Sequence, residues 1–297
     1  MLEGYRVESE LYRGRRRVVR RVVREHDHVR LILKSLLVEV ATDEDVAAAK
    51  HEFDVLSALS VEGVPRVYGL LSDATGFHLL LEDKQGVTLA EYVRTVPRDP
   101  GRGLDLAIGL TAVLEGVHRH RVAHLDLNPA NVVVDASGAV SLIDFGLSTR
   151  QEKEEERPVA HPGKLRGTLA YVSPEQTGRM NRPVDYRSDF YSLGVTLFEL
   201  FSGRLPFMCD DPMELVYCHL AVPPSSLSAL DHTIPRSLAA VVGKLLEKAP
   251  EDRYQTAQGL LHDLRACRTQ LDSPSADFEP GRHDVGSRFL IPLKLYG

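Results

Sequence analysis

The chemistry in this chain is concentrated in two short runs, HLDLNPANVVVD (His124–Asp135) and LIDFG (Leu142–Gly146). Asp126 and Asn131 stand on what reads as a loop, ahead of an apolar strand, Val132–Val134. A second apolar strand, Val140–Ile143, delivers Asp144 beside Phe145 and Gly146. Two carboxylates and an amide brought together from adjacent strand ends suit phosphoryl transfer, which needs positioning and charge neutralisation more than covalent chemistry. One carboxylate would orient an attacking hydroxyl, and two oxygen ligands would hold Mg²⁺ on the phosphates. The same letters also suit a plain β-hairpin with Asn and Asp in its turns.

The elements that must position such a set can be read from periodicity. Residues 5–40 read as strands. In HVRLILKSL, Val29, Leu31 and Leu33 share one face, while Ile32 and Lys34 share the other. A helix follows in EDVAAAKHEFDVLSALS, with Ala49, Phe53, Leu56 and Leu59 as its apolar stripe. Glu52 falls inside that stripe, and a carboxylate there needs a cation. Strands near Val67–Leu71 and Phe77–Glu82 come next, and from Gly86 onward helical patterns dominate: Leu104–His120, Asp189–Ser202 and Leu238–Lys248. The second of these is apolar nearly all round, as a helix buried in a lobe must be. The chain thus divides into a small strand-rich part and a larger helical part, with a boundary near Leu81–Gly86 and a cleft between them.

With these segments in place, the sequence resembles protein kinases, and more than the catalytic run carries the likeness. The short constellation is also similar to small-molecule phosphotransferases of the aminoglycoside type. GTLAYVSPE (Gly167–Glu175), DFYSLGV and APEDRYQT separate the two, because they look like the end of a protein-kinase activation segment, its buried helix and the arginine that partners the SPE glutamate. The resemblance implies an α+β, bilobal protein-kinase fold, with a β-rich N-lobe over 1–82 and a helical C-lobe over 86–272. It implies Asp126 as catalytic aspartate, Asn131 and Asp144 as metal ligands, and Lys34 paired with Glu52 to position the α- and β-phosphates. It also implies a hinge at Leu81, Glu82 and Asp83 meeting adenine, Val19 and Val133 about the base, and a buried Glu175–Arg253 pair. Thr168 stands where Ser/Thr kinases keep a threonine bonded to the catalytic aspartate. Asp189 reads as a helix N-cap that can also steady the catalytic loop, and His124 as a packed core histidine. ATP, Mg²⁺ and a protein substrate are the cofactors and partner this reading calls for.

Five positions depart from the family pattern. Of the three usual glycines in the phosphate loop only Gly14 remains, with Tyr12 and Arg17 in the other two places. Arginine charge can substitute for close backbone approach there, or the tip is simply solvated. Ile32 replaces the alanine under adenine, Leu125 replaces the HRD arginine, and Asn128 replaces the lysine that touches the γ-phosphate. An asparagine donates a hydrogen bond but brings no charge. These departures keep a second reading open, a pseudokinase acting as a nucleotide-binding scaffold.

The wording of HLDLNPAN and of GTLAYVSPEQTGRMNRPVDYRSD is similar to the kinase domains that open large bacterial signalling proteins, where an AAA-type ATPase, GAF and histidine-kinase modules follow. Residues 273–297 read as a linker toward such a module, ending in FLIPLKLYG. Charge and composition narrow the class further. With 36 Lys and Arg against 42 Asp and Glu, the net charge of −6 speaks against covering nucleic acid. No apolar run approaches a membrane span, and three scattered cysteines fit a reducing cytoplasm.

Overall fold

The computed structural model describes residues 2–37, 41–74, 76–150, 168–272 and 278–285. The first part of the chain is an antiparallel sheet of five strands: β1 (Tyr5–Arg13), β2 (Arg17–Arg24), β3 (Arg30–Leu37), β4 (Val67–Asp73) and β5 (Gly76–Glu82), in the order β1-β2-β3-β5-β4. The alternation expected in β3 is present, with Leu31 and Leu33 buried and Ile32 and Lys34 half-buried on the other face. The register sets Lys34 opposite Val19 on β2 and Leu79 on β5.

Between β3 and β4 runs α1 (Asp43–Ala58), started by a capping box in which the Thr42 and Asp45 side chains satisfy each other's backbone N–H groups. Its buried residues are Glu52, Val55 and Leu56. Val55 therefore joins the stripe, whereas Ala49, Phe53 and Leu59 lie at its half-buried margin.

After β5 the chain crosses to the helical part. Gly86, at φ 136°, admits the crossing, because a Cβ there would stand 2.3 Å from the Val134 carbonyl oxygen. There follow β6 (Val87–Thr88), α2 (Leu89–Thr95), α3 (Pro100–Arg119), β7 (Val122–Ala123), β8 (Val132–Val134), β9 (Val140–Leu142) and β10 (Thr149–Arg150). The remaining elements are α4 (Arg187–Ser202), α5 (Pro212–Ala221), α6 (Leu227–Leu230), α7 (Arg236–Leu245) and α8 (Ala257–Asp272). Strand β8 pairs with β6 and β9, and β10 with β7. One apolar core runs from Val55 and Leu56 of α1 through α3, α4 and α7 to Leu264 and Cys267 of α8. Helix α4 lies at its centre and is buried on nearly every side.

Helix ends differ from the periodicity reading where capping decides them. Helix α3 starts at Pro100, not Leu104, because Asp99 caps it and proline suits the first turn. Helix α4 starts at Arg187, so Asp189 lies within its first turn and is not its N-cap. Helix α7 ends at Leu245, short of Lys248.

The linker expected over 273–297 is not free in its described part. Phe278 packs on the main core. The Asp284 carboxylate accepts from the Gln255 N–H and from the Thr256 hydroxyl at 2.6 Å, and the Gly281 N–H donates to Asp263. The FLIPLKLYG patch and the acidic run Glu152–Glu156 lie outside the described residues. Among the described residues no helix is long and apolar enough to cross a membrane.

Candidate active site

Two backbone hydrogen bonds hold the polar residues of the cleft in register: Ile143 N–H to the Asn131 carbonyl, and Leu142 N–H to Gly63. Asp126 precedes the 3₁₀ turn Pro129–Asn131, which Asn128 caps by accepting from the Ala130 N–H. The Asn131 amide nitrogen donates to the Asp126 carbonyl at 2.8 Å and to its carboxylate at 3.0 Å. That turns Asn131 Oδ1 away as an oxygen donor, which suits a hard cation. Asn128 likewise donates to the Asp126 carbonyl at 2.9 Å and to Oδ1 at 3.3 Å. Its amide nitrogen is therefore engaged on Asp126 and its oxygen on Ala130 N–H, a positioning role rather than the outward reach of the lysine it replaces. Burial, and then the charge of Asp144, push the Asp126 carboxyl up to about 7 against the opposing pull of Asn131, Asn128 and Arg17. A carboxylate so placed is poised as a base near neutrality.

Lys34 crosses from β3 to the helical part. Its ammonium stands 2.6 Å from Glu52 Oε1 and 3.2 Å from Asp144 Oδ1. Burial alone would lower the lysine, but the two carboxylates outweigh it and raise it. Burial, and then the charge of Asp144, raise Glu52 against the opposing pull of Lys34. Burial also opposes the charge on Asp144, yet Lys34 and then Arg17 hold that carboxyl at about 2, so it is ionised and ready for a cation. Glu52 thus has the cation that its place in the apolar stripe required. Helix α1 is tied to the segment after Asp144 as well, His51 Nε2 donating to the Ser148 carbonyl at 2.6 Å.

Asp189, fully buried, is the support beneath the catalytic loop. It accepts from His124 N–H at 2.9 Å, from Leu125 N–H at 2.7 Å and from His118 Nε2 at 2.8 Å. His124 is indeed a core residue, its ring 4.8 Å from Phe145 edge-to-face, and burial lowers its basicity. Its neutral ring donates from Nε2 to the Ile143 carbonyl and accepts at Nδ1 from the Asp126 N–H. Gln176, which the sequence reading passed over, donates to the Leu125 carbonyl at 2.9 Å and links the loop to the SPE segment. Below that segment Glu175 and Arg253 form a bidentate pair at 2.7 and 2.8 Å, closed from water, with Ser188 donating to the same carboxylate.

At the crossing between lobes, Leu81 is a sheet residue opposite Ile32 and Val67, and the Glu82 N–H is already donated to the Arg66 carbonyl at 2.8 Å. The connection available to a base therefore begins at the Glu82 carbonyl. Asp83 braces it, its carboxylate 2.6 Å from Arg21 on β2 and accepting from the Gln85 N–H. Val19, Ile32 and Val133 are half-buried, as residues lining an open cleft should be. Thr168 begins a 3₁₀ turn, Thr168–Tyr171, and its side chain lies outside the described residues.

Known proteins resemble the chain over most of its length. The model of the protein kinase domain family matches residues 5–264. A probable serine/threonine-protein kinase of Streptomyces coelicolor is 32% identical over 79% of this chain and 35% of its own length. Another of Clostridium perfringens is 30% identical over 84% of this chain and 36% of its own. The serine/threonine-protein kinase PknB of Mycobacterium tuberculosis is 37% identical over 63% and 30%. The chain spans about a third of the length of these curated relatives. The match over 260 of its 297 residues shows that this chain belongs to the protein kinase domain family.

Proposed function

We propose that the chain is an ATP-dependent serine/threonine protein kinase domain that transfers the γ-phosphoryl group to a protein hydroxyl. The observation that carries this is the continuous line from Glu52 through Lys34 to Asp144, with Asp126 held beside it by Asn131. Asp144 and Asn131 would hold Mg²⁺, which when bound neutralises phosphate charge. Lys34 positions the nucleotide phosphates, Asp126 takes the hydroxyl proton, and Asn128 keeps Asp126 oriented. Glu82 and Asp83 shape the adenine end, with Val19, Ile32 and Val133 about the base. Thr168, by family resemblance and the names of the relatives, favours serine and threonine acceptors. The scaffold reading gains nothing from the site, because Lys34 contacts both Glu52 and Asp144, and Asn131 holds the Asp126 carboxylate, as an active kinase needs. We extend the proposal to a cytoplasmic protein acceptor and to further modules on the same polypeptide, supported by the likeness of HLDLNPAN and GTLAYVSPEQTGRMNRPVDYRSD to the kinase domains of multidomain signalling proteins.

The test is transfer of labelled phosphate from Mg·ATP to a generic protein acceptor, run beside thermal melts. Asp126→Ala should lose about 10²–10⁴ in turnover while keeping the nucleotide-induced rise in melting temperature. Asp144→Ala should lose both. Transfer by Asp126→Ala at the wild-type rate would overturn the assignment of the base.

A further inference from the structure

The tip joining β1 to β2 keeps one glycine of three, and three of its arginines, Arg13, Arg16 and Arg17, have separate partners. Arg13 turns back onto Glu10, Nε to Oε1 at 2.7 Å. Arg16 reaches Asp45 in the first turn of α1 at 3.2 Å. Arg17 instead enters the cleft. Its Nη1 stands 3.7 Å from Asp144 Oδ2, and its guanidinium lies over the Tyr12 ring, 5.7 Å from the centroid.

Gly14 is not arranged to receive phosphate. Its N–H donates to the Arg17 carbonyl at 2.9 Å. A Cβ at this position would meet the Tyr12 hydroxyl at 2.6 Å and a ring carbon at 2.9 Å. The glycine makes room for the tyrosine that backs the guanidinium, so the three loop positions form one unit: ring, space for the ring, and cation.

We propose that Arg17 is a phosphate-binding residue of this cleft, its guanidinium taking the terminal phosphates of the nucleotide in place of the backbone amides of a glycine-rich loop. The proposal rests on the ATP-binding reading above. A cation held by Asp144 would draw phosphate oxygens to the neighbourhood of that carboxylate. Arg17 Nη1 already stands in that neighbourhood, 3.7 Å from Asp144 Oδ2. Its 3.7 Å separation exceeds hydrogen-bond length, so charge holds it there and its fork of N–H donors can turn to phosphate. With 54% of the side chain exposed, the guanidinium moves without breaking a packed core.

Calorimetric titration of the full chain in Mg²⁺ tests this, using the β,γ-imido analogue of ATP and, separately, adenosine. Arg17→Ala should weaken the analogue by about ten- to a hundredfold, as loss of a charge-assisted contact does. It should leave adenosine affinity within about twofold. Arg17→Lys, which keeps charge without the fork, should fall between. Unchanged or tighter analogue binding by Arg17→Ala overturns the proposal, the latter by marking Arg17 as a latch on Asp144. An equal loss for adenosine overturns it too, since the effect would not be on phosphate. If the wild-type chain binds neither ligand, the ATP-binding reading itself falls. That outcome is distinct from a wild type that binds both and a variant that matches it.

Discussion

Leu125 and Asp144 both hold the backbone in the left-handed region, at φ 61° and 66°, which costs a branched or charged residue of order 1–3 kcal/mol each. Such conformations persist only where surrounding contacts over-determine them. For Leu125 those contacts are Asp189 on its N–H and Gln176 on its carbonyl. An asparagine at 189 would offer one acceptor oxygen to three donors and turn an amide nitrogen toward them. We predict that Asp189→Asn costs about 2–4 kcal/mol in urea unfolding and also slows transfer. A cost under about 0.5 kcal/mol would mean that the loop is held by something else. The Glu175–Arg253 pair obeys the same rule for orphaned charge. Burial works against Glu175, but its bonds to Arg253 hold its carboxyl below the usual range. Glu175→Ala should cost about 3–5 kcal/mol, and adding Arg253→Met should recover part of it. Additive costs in the double-mutant cycle would contradict the contact.

At the scale of elements, α8 and the segment docked on it set local propensity against packing. Gly259 in α8 is intrinsically costly in a helix by about 1 kcal/mol relative to alanine. A Cβ there, however, would stand 2.5–2.7 Å from Asp284, including its Cα. Asp284 in turn accepts from Thr256, whose hydroxyl caps Gly259 N–H. Gly259→Ala should therefore release residues 278–285, raising proteolysis there, even though the helix itself prefers alanine. An unchanged cleavage rate would show that the segment adjusts. The same helix marks where sequence reasoning stopped. The catalytic letters were legible because phosphoryl transfer fixes residue types at short spacing. Strands β1–β5 were legible because alternation is local. The spacing of Leu260, Leu264, Cys267 and Leu271 is also local, and α8 could have been read from it. The anchoring of 278–285 could not, since it depends on Asp284 meeting the start of α8 across 28 residues. Nor could the direction of Arg17, which arises only when β2 packs near Asp144, a segment distant in sequence.

Across the whole molecule, the large core encloses histidines that must stay neutral, and this sets the response to acid. His219 in α5 is fully buried against Tyr191 of α4, its Nδ1 2.9 Å from the phenol oxygen, with Phe207 edge-on at 5.2 Å. Burial, reinforced by the positive charge of Lys248, pushes its pKa down to about 4. Lys248 is itself lowered by burial to about 8, below its unfolded value but still charged at neutral pH. The folded chain therefore binds a proton at His219 less readily than the unfolded chain, whose histidine titrates near 6.5. Stability is fully present above about pH 6.5 and falls as pH drops toward 4, by up to about 3 kcal/mol from this one residue. His124, lowered by burial as well, adds loss in the same direction. His219→Gln retains a partner for Tyr191 and does not titrate. It should be less stable than wild type at pH 8, yet its urea-unfolding free energy should fall less steeply between pH 6.5 and 4.5. Parallel slopes for the two proteins would mean that His219 gains its proton without opening the core.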